Sequence, residues 1–154
     1  MEPGKITEAN KIHSTLAHSY SSYFVLLILG VFLDLIFQVK IFHSSIMMPI
    51  GFALLIIATL IILWAQVSYE DLRGKDVTKQ HFCKGPYCYT RNPTHLGLFL
   101  LILGFGFVLN AFFVILFTVL SLVFTKVVFL KKHDSVMEDK FGAPYREYKK
   151  SVKF

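Results

Sequence analysis

The run Gly85-Pro-Tyr-Cys-Tyr-Thr-Arg-Asn-Pro-Thr-His-Leu-Gly97 gathers an arginine, a histidine and two tyrosines between prolines that turn the chain and open a helix. Arg91 carries the planar fork that grips a carboxylate bidentately, though it also fits a plain basic anchor at a membrane boundary. Tyr87 and Tyr89 could stack on a flat heterocycle or face a cation, and interfacial belt aromatics look the same in sequence. His95 could donate a hydrogen bond or take a proton, or simply be a polar residue at an interface. Asp134 and Glu138 stand four apart and share a helix face, where they could hold an ammonium or a sugar hydroxyl. A solvated charged face is the plainer use, above all for Glu138. Asp34 differs from all of these because it lies inside an apolar run, where a charge costs about 2.5 to 3.5 kcal/mol on insertion scales. Such a carboxylate must face other helices, paired or protonated, and Asp34→Asn should therefore fold at least as well as the natural chain.

The elements that position these residues are apolar helices. The chain has 154 residues, is 55% hydrophobic and carries a formal net charge of +6; its mean hydropathy is +0.57. One domain covering residues 1–154 is expected, of the all-α polytopic membrane class. Four spans can be read: Tyr23 to about Phe42, Met47 to about Val67, Pro93 to Leu109, and Ala111 to Leu130. Residues 1–22 have apolar positions at Ile6, Ile12, Leu16 and Tyr20, a spacing that suits an amphipathic helix lying on the membrane surface. The polar start and the length of the first apolar run do not read as a cleavable signal sequence. Residues 93–130 form a tight helical hairpin, in which Gly104 and Gly106 serve helix packing. Residues 131–154 form a short helical tail: Gly142 fits a helix stop, Pro144 a restart, and Tyr145, Tyr148 and Val152 one apolar face.

Basic residues set the expected orientation. Lys5 and Lys11 precede the first span, Arg73, Lys75, Lys79, Lys84 and Arg91 lie between the second and third, and Lys131, Lys132, Lys140, Arg146, Lys149, Lys150 and Lys153 follow the fourth. The other two connections carry none, so both termini and the motif loop belong in the cytoplasm, with Lys40 snorkelling outward. Cys83 and Cys88 then sit in a reducing compartment, where thiols rather than a disulfide are expected. With no second ligand pair they do not make a zinc site, and no metal is expected.

Two stretches of this chain also resemble a known signature. Gly85-Pro-Tyr87, Arg91-Asn-Pro-Thr-His-Leu-Gly97 and, downstream, His133-Asp134, Met137, Phe141-Gly142, Tyr145 and Tyr148 match in order the integral-membrane methyltransferases that include isoprenylcysteine carboxyl methyltransferase and the phospholipid N-methyltransferases. That pattern is roughly Gly-Pro-Tyr, a spacer, Arg-His-Pro-x-Tyr-x-Gly, then Glu-Glu-x-x-Leu-x-x-x-Phe-Gly-x-x-Tyr-x-x-Tyr. The resemblance implies S-adenosyl-L-methionine as cofactor and methyl transfer to a lipid or lipidated acceptor arriving from the bilayer, with no nucleic-acid partner. It implies catalytic roles for Arg91, His95 and Asp134. It places the cofactor among Phe82, Cys83, Lys84, Gly85, Tyr87, Arg91, Asn92, Pro93, His95, Leu96, His133 and Asp134, and the acceptor near Asp34, Tyr145 and Tyr148. Asn92 stands where the family has histidine, His95 where it has tyrosine, and His133-Asp134 where it has two glutamates. Those departures bear on the acid–base group more than on the cofactor.

Two other classes of function remain open on sequence grounds. A small four-helix proton-coupled transporter would use Asp34 as its coupling site. A membrane protein without chemistry would need none of the patterned residues. A transporter has no use for the loop motif or the patterned tail, which ranks it below the enzyme.

Overall fold

The computed structural model describes residues 3–42, 46–70, 85–129, 134–135, 137–139 and 142–152, and these are helical or connect helices, with no strand among them. Helix α1 runs Pro3–Phe37 and α2 Met47–Glu70. A 3₁₀ turn at Gly85–Cys88 leads to α3, Pro93–Leu109. Helix α4, Phe112–Phe124, passes into π-helical winding over Thr125–Phe129, and α5 covers Ala143–Ser151.

The expected break between a surface helix and the first span is absent: α1 is continuous from Pro3. No glycine or proline lies between Gly4 and Gly30, so nothing interrupts the hydrogen-bond ladder. The side chains of residues 3–19, and with them the expected amphipathic stripe, lie outside the described residues. The helix also stops at Phe37 rather than Phe42, because Gln38 turns into the left-handed region at φ 49°.

Two segments are long and apolar enough to cross a membrane, Tyr20–Phe37 with mean hydropathy 2.0 and Met47–Ser68 with 2.5. The apolar helices Pro93–Leu109 and Phe112–Val127 are shorter than the roughly 20 residues that span about 30 Å of hydrocarbon. All four run side by side: α2 packs along α3, α1 along α4, and α3 and α4 form the hairpin between them.

Small residues decide the close crossings. Gly51, Ala58 and Ala65 recur at every seventh position of α2, as Gly97 and Gly104 do on α3. A seven-residue repeat keeps one seam of each helix on its partner. Ala58 and Ala65 are fully buried there, and a Cβ on Gly104 would stand 2.9 Å from the carbonyl oxygen of Gly51. Gly106 packs likewise against Ile115 within the hairpin, so both glycines serve packing as expected. Between α1, α3 and α4 the core is Tyr23, Ile102, Ala111 and Val114, flanked by Leu27, Val31 and Leu98. Most other large apolar side chains face outward, among them Phe24, Phe32 and Leu35 on α1 and Ile56, Leu60 and Val67 on α2. Apolar exposure on this scale needs a lipid or protein cover.

One end of the bundle is tied by two polar residues. The Asp34 carboxylate accepts from the backbone N–H groups of Phe113 at 3.1 Å and Val114 at 2.9 Å. These are second- and third-position amides of α4, whose own N-cap residue, Ala111, has no side-chain acceptor. Asp34 thus caps a neighbouring helix. Asn110, in the left-handed conformation at the hairpin turn, accepts from the N–H groups of Ile41 and Phe42 and donates to the Phe42 carbonyl.

Candidate functional site

The other end holds the residues singled out for chemistry. Gly85 begins the 3₁₀ turn with φ 54°, and a Cβ there would run into Ser68 Oγ and Trp64 Nε1 at the end of α2. Only glycine gives both the left-handed conformation and that close approach. Pro86 is buried, and its carbonyl accepts from the N–H groups of Tyr89 and Thr90. The turn is thereby seated on α2 and delivers Arg91 just ahead of α3.

Arg91 donates from Nη1 to Asp134 Oδ2 at 2.6 Å across 43 residues of sequence. The Tyr145 hydroxyl donates to the other oxygen, Oδ1, at 2.8 Å, and Lys149 Nζ lies 3.4 Å from Oδ2. Asp134 is buried, so a cation and a hydroxyl on its two oxygens supply the compensation that a buried carboxylate requires. The Tyr148 hydroxyl donates to the Tyr87 carbonyl at 2.6 Å, fastening α5 directly to the motif turn.

Helix α5 is placed by its own sequence. Gly142, at φ 60°, ends the preceding helical stretch by donating its N–H to the Glu138 carbonyl, and Pro144 sits in the first turn of α5. Tyr145, Tyr148 and Val152 make one buried face with Met137 beside it, as their spacing implied. Lys149 also reaches Glu138 Oε1 at 2.7 Å, so Glu138 is an ion-pair partner rather than a solvated charge.

Burial pushes the hydroxyls of Tyr145 and Tyr148 well above the ordinary phenol range, and for Tyr145 the hydrogen bond to the Asp134 carboxylate adds to the rise. Both stay protonated donors at any physiological pH. Lys149 is raised as well, chiefly by its hydrogen bond to Glu138.

His95 lies in the first turn of α3 but turns toward α1. Its ring stacks on Tyr20 at 5.0 Å between centroids and lies 6.2 Å from that of Tyr23. Pro93 is fully buried at the helix start and Leu96 is exposed. Asn92 occupies the N-cap of α3 without a side-chain cap bond, and its Nδ2 is buried with no hydrogen-bond partner. Tyr89 is exposed. Phe82, Cys83, Lys84 and His133 lie outside the described residues.

Two further expectations are corrected. Cys88 is disulfide-bonded rather than a thiol; the expectation of thiols rests only on the lysine and arginine pattern, which puts this loop in a reducing compartment. Asp34 lies at the opposite end of the bundle from Arg91, Asp134, Tyr145 and Tyr148, and both its oxygens serve the α4 backbone. Sequence reading passed over Tyr20, Tyr23, Thr125 and Trp64 as parts of this end. Their only signal is aromatic and hydroxyl residues at the ends of apolar runs.

No group of three or more His, Cys, Asp or Glu side chains among the described residues is placed to hold a metal ion. No protein-family model, curated protein or solved structure matches the chain. The site is therefore weighed on its geometry.

Proposed function

We propose that this chain is an integral-membrane methyltransferase acting on a lipid or lipidated acceptor with S-adenosyl-L-methionine as methyl donor. The observation that supports it best is the convergence of the two patterned segments: Arg91 and Tyr145 meet on Asp134, and Tyr148 meets the Tyr87 carbonyl. A protein without chemistry has no need for a buried ion pair joining a loop to a tail, since buried pairs contribute little net stability.

In this reading all four apolar helices lie in the bilayer, the shorter α3 and α4 alongside the two longer ones. Both termini and the site face the cytoplasm, as the lysine and arginine distribution implies. The donor set suits the proposed cofactor. The buried, unpartnered Asn92 Nδ2 can donate to a carboxylate or a ring nitrogen, and the Tyr87 ring offers a face for adenine. Arg91, Asn92, His95 and Asp134 would line its site. When bound, the cofactor supplies an activated methyl group on sulfur; the protein's part is to hold, align and exclude water. Asp134 is held by Arg91 and Tyr145, and the cations Arg91 and Lys149 compensate its charge. The tail closes over the loop and shields it.

Calorimetric titration of the detergent-purified protein with S-adenosylhomocysteine tests the reading. Binding of about micromolar affinity, roughly −8 kcal/mol, is expected. No heat at millimolar ligand, with the protein shown to be folded, rejects it.

A further inference from the structure

The disulfide at Cys88 belongs to the segment that positions Arg91, and the Arg91–Asp134 network makes no use of it. The chain has one other cysteine, Cys83, so a bond within the chain closes a loop over residues 83–88. That loop encloses Gly85, Pro86 and Tyr87. These residues seat the 3₁₀ turn on α2 and present the carbonyl to which the Tyr148 hydroxyl donates at 2.6 Å. The turn has few bonds of its own: two N–H groups meet the Pro86 carbonyl, and Gly85 is left-handed. Hydrogen bonds of 3₁₀ type have poor geometry, and glycine gives an opened chain many conformations to visit. In the chain-entropy account a cross-link acts by removing those open states. Helix α5 in turn leans on this segment. It has nine residues and docks through Tyr145, Tyr148 and Val152, and a helix that short does not hold without packing.

We propose that the Cys83–Cys88 bond is a redox clamp: oxidised, it fixes the motif turn and with it the α5 tail; reduced, it lets both open. The lysine and arginine distribution puts this loop in the cytoplasm, where disulfides that do form are usually transient, catalytic or redox-sensing. Cys88 is only half-buried and is followed by Tyr89, 78% exposed, so a thiol reductant can reach it. The reductant is a cellular thiol such as glutathione. Its thiolate attacks one cysteine sulfur, the S–S bond breaks, and a mixed disulfide forms. A second glutathione thiol displaces that intermediate. Two cysteine thiols result, carrying the two electrons and two protons, and glutathione leaves as its own disulfide. The clamp rests on the cytoplasmic orientation and not on methyl transfer, so it stands or falls apart from the methyltransferase reading.

The test equilibrates the detergent-purified full chain in buffers of graded reduced-to-oxidised glutathione ratio. Maleimide labelling with intact mass counts the thiols, and amide hydrogen exchange reports opening of residues 85–92 and 143–152. Two thiols are expected to appear together within the range of ratios a cytoplasm holds. As they appear, both segments should exchange at least five-fold faster, while residues 51–65 of α2 stay within two-fold. Cys88→Ser and Cys83→Ser should each exchange at the reduced rate in every buffer. In Tyr148→Phe, reduction should quicken the turn but leave the already loosened tail unchanged. A bond that no glutathione ratio reduces in the folded protein is a structural cross-link and overturns the proposal. So does reduction that leaves both segments at the oxidised rate. An intact mass showing the bond to run between two chains overturns it as well.

Discussion

Arg91 and Asp134 form an ion pair that joins the loop to the tail. With Asp134 buried, removing its cation leaves an uncompensated charge. Arg91→Ala is therefore expected to destabilise the fold by about 3 kcal/mol, whereas the double variant Arg91→Ala, Asp134→Ala recovers most of that loss. Thermal melting of the two variants in one detergent measures the difference, and equal melting points would show that the pair is not coupled. Asp34 inverts the expectation drawn from its sequence position. Its two oxygens accept from two backbone amides, so Asp34→Asn turns an amide NH₂ toward one of those donors. A loss of about 1 kcal/mol follows, the usual worth of a helix cap. An Asn variant melting above the natural protein would argue instead that the burial cost of the charge dominates.

Among the elements, α5 carries the clearest pH dependence. The raised hydroxyls of Tyr145 and Tyr148 mean that the folded tail disfavours their ionisation. The sign follows from linkage: their contribution is complete below the ordinary phenol value of 10.0 and is lost as pH rises through the folded values. Detachment of α5 is thus expected only in strong alkali. Tyrosinate absorbance should show the tail pair ionising only in strong alkali, in step with proteolysis of the tail. Tyr148→Phe should remove about 1 kcal/mol of docking, the net worth of one hydrogen bond. Lys149 is raised too, but more than a third of its side chain is exposed, so its ion pair with Glu138 is screened and adds little.

For the molecule as a whole, the proposed membrane reading carries an orientation that labelling decides. The lysine and arginine pattern points to the cytoplasm, whereas the disulfide at Cys88 is a bond more at home in an oxidising compartment. Cysteines introduced singly at Ile46 and Ser135, both exposed and at opposite ends of the bundle, separate the two. Ile46→Cys should label with an impermeant maleimide in intact cells, and Ser135→Cys only after permeabilisation. The reverse pattern would put the site outside and explain the disulfide.

What could be read along the chain and what could not divides by range. Apolar runs, the proline and glycine boundaries of α3 and α5, and the spacing of Tyr145, Tyr148 and Val152 are local properties, set by helix periodicity and backbone preference within a few residues. The structure returned these nearly as expected, except that α1 runs unbroken from Pro3 and Gln38 ends it early. Asp34 on the amides of Phe113 and Val114, His95 against Tyr20, and Asn110 on Ile41 and Phe42 were not legible. Each depends on which face of one helix meets another far along the chain, and that choice belongs to small-residue seams such as Gly51 against Gly104. A buried carboxylate looks alike in sequence whether it caps a helix or couples a proton. Only the donors packed around it tell the two apart, and packing brings those donors in from elsewhere in the chain.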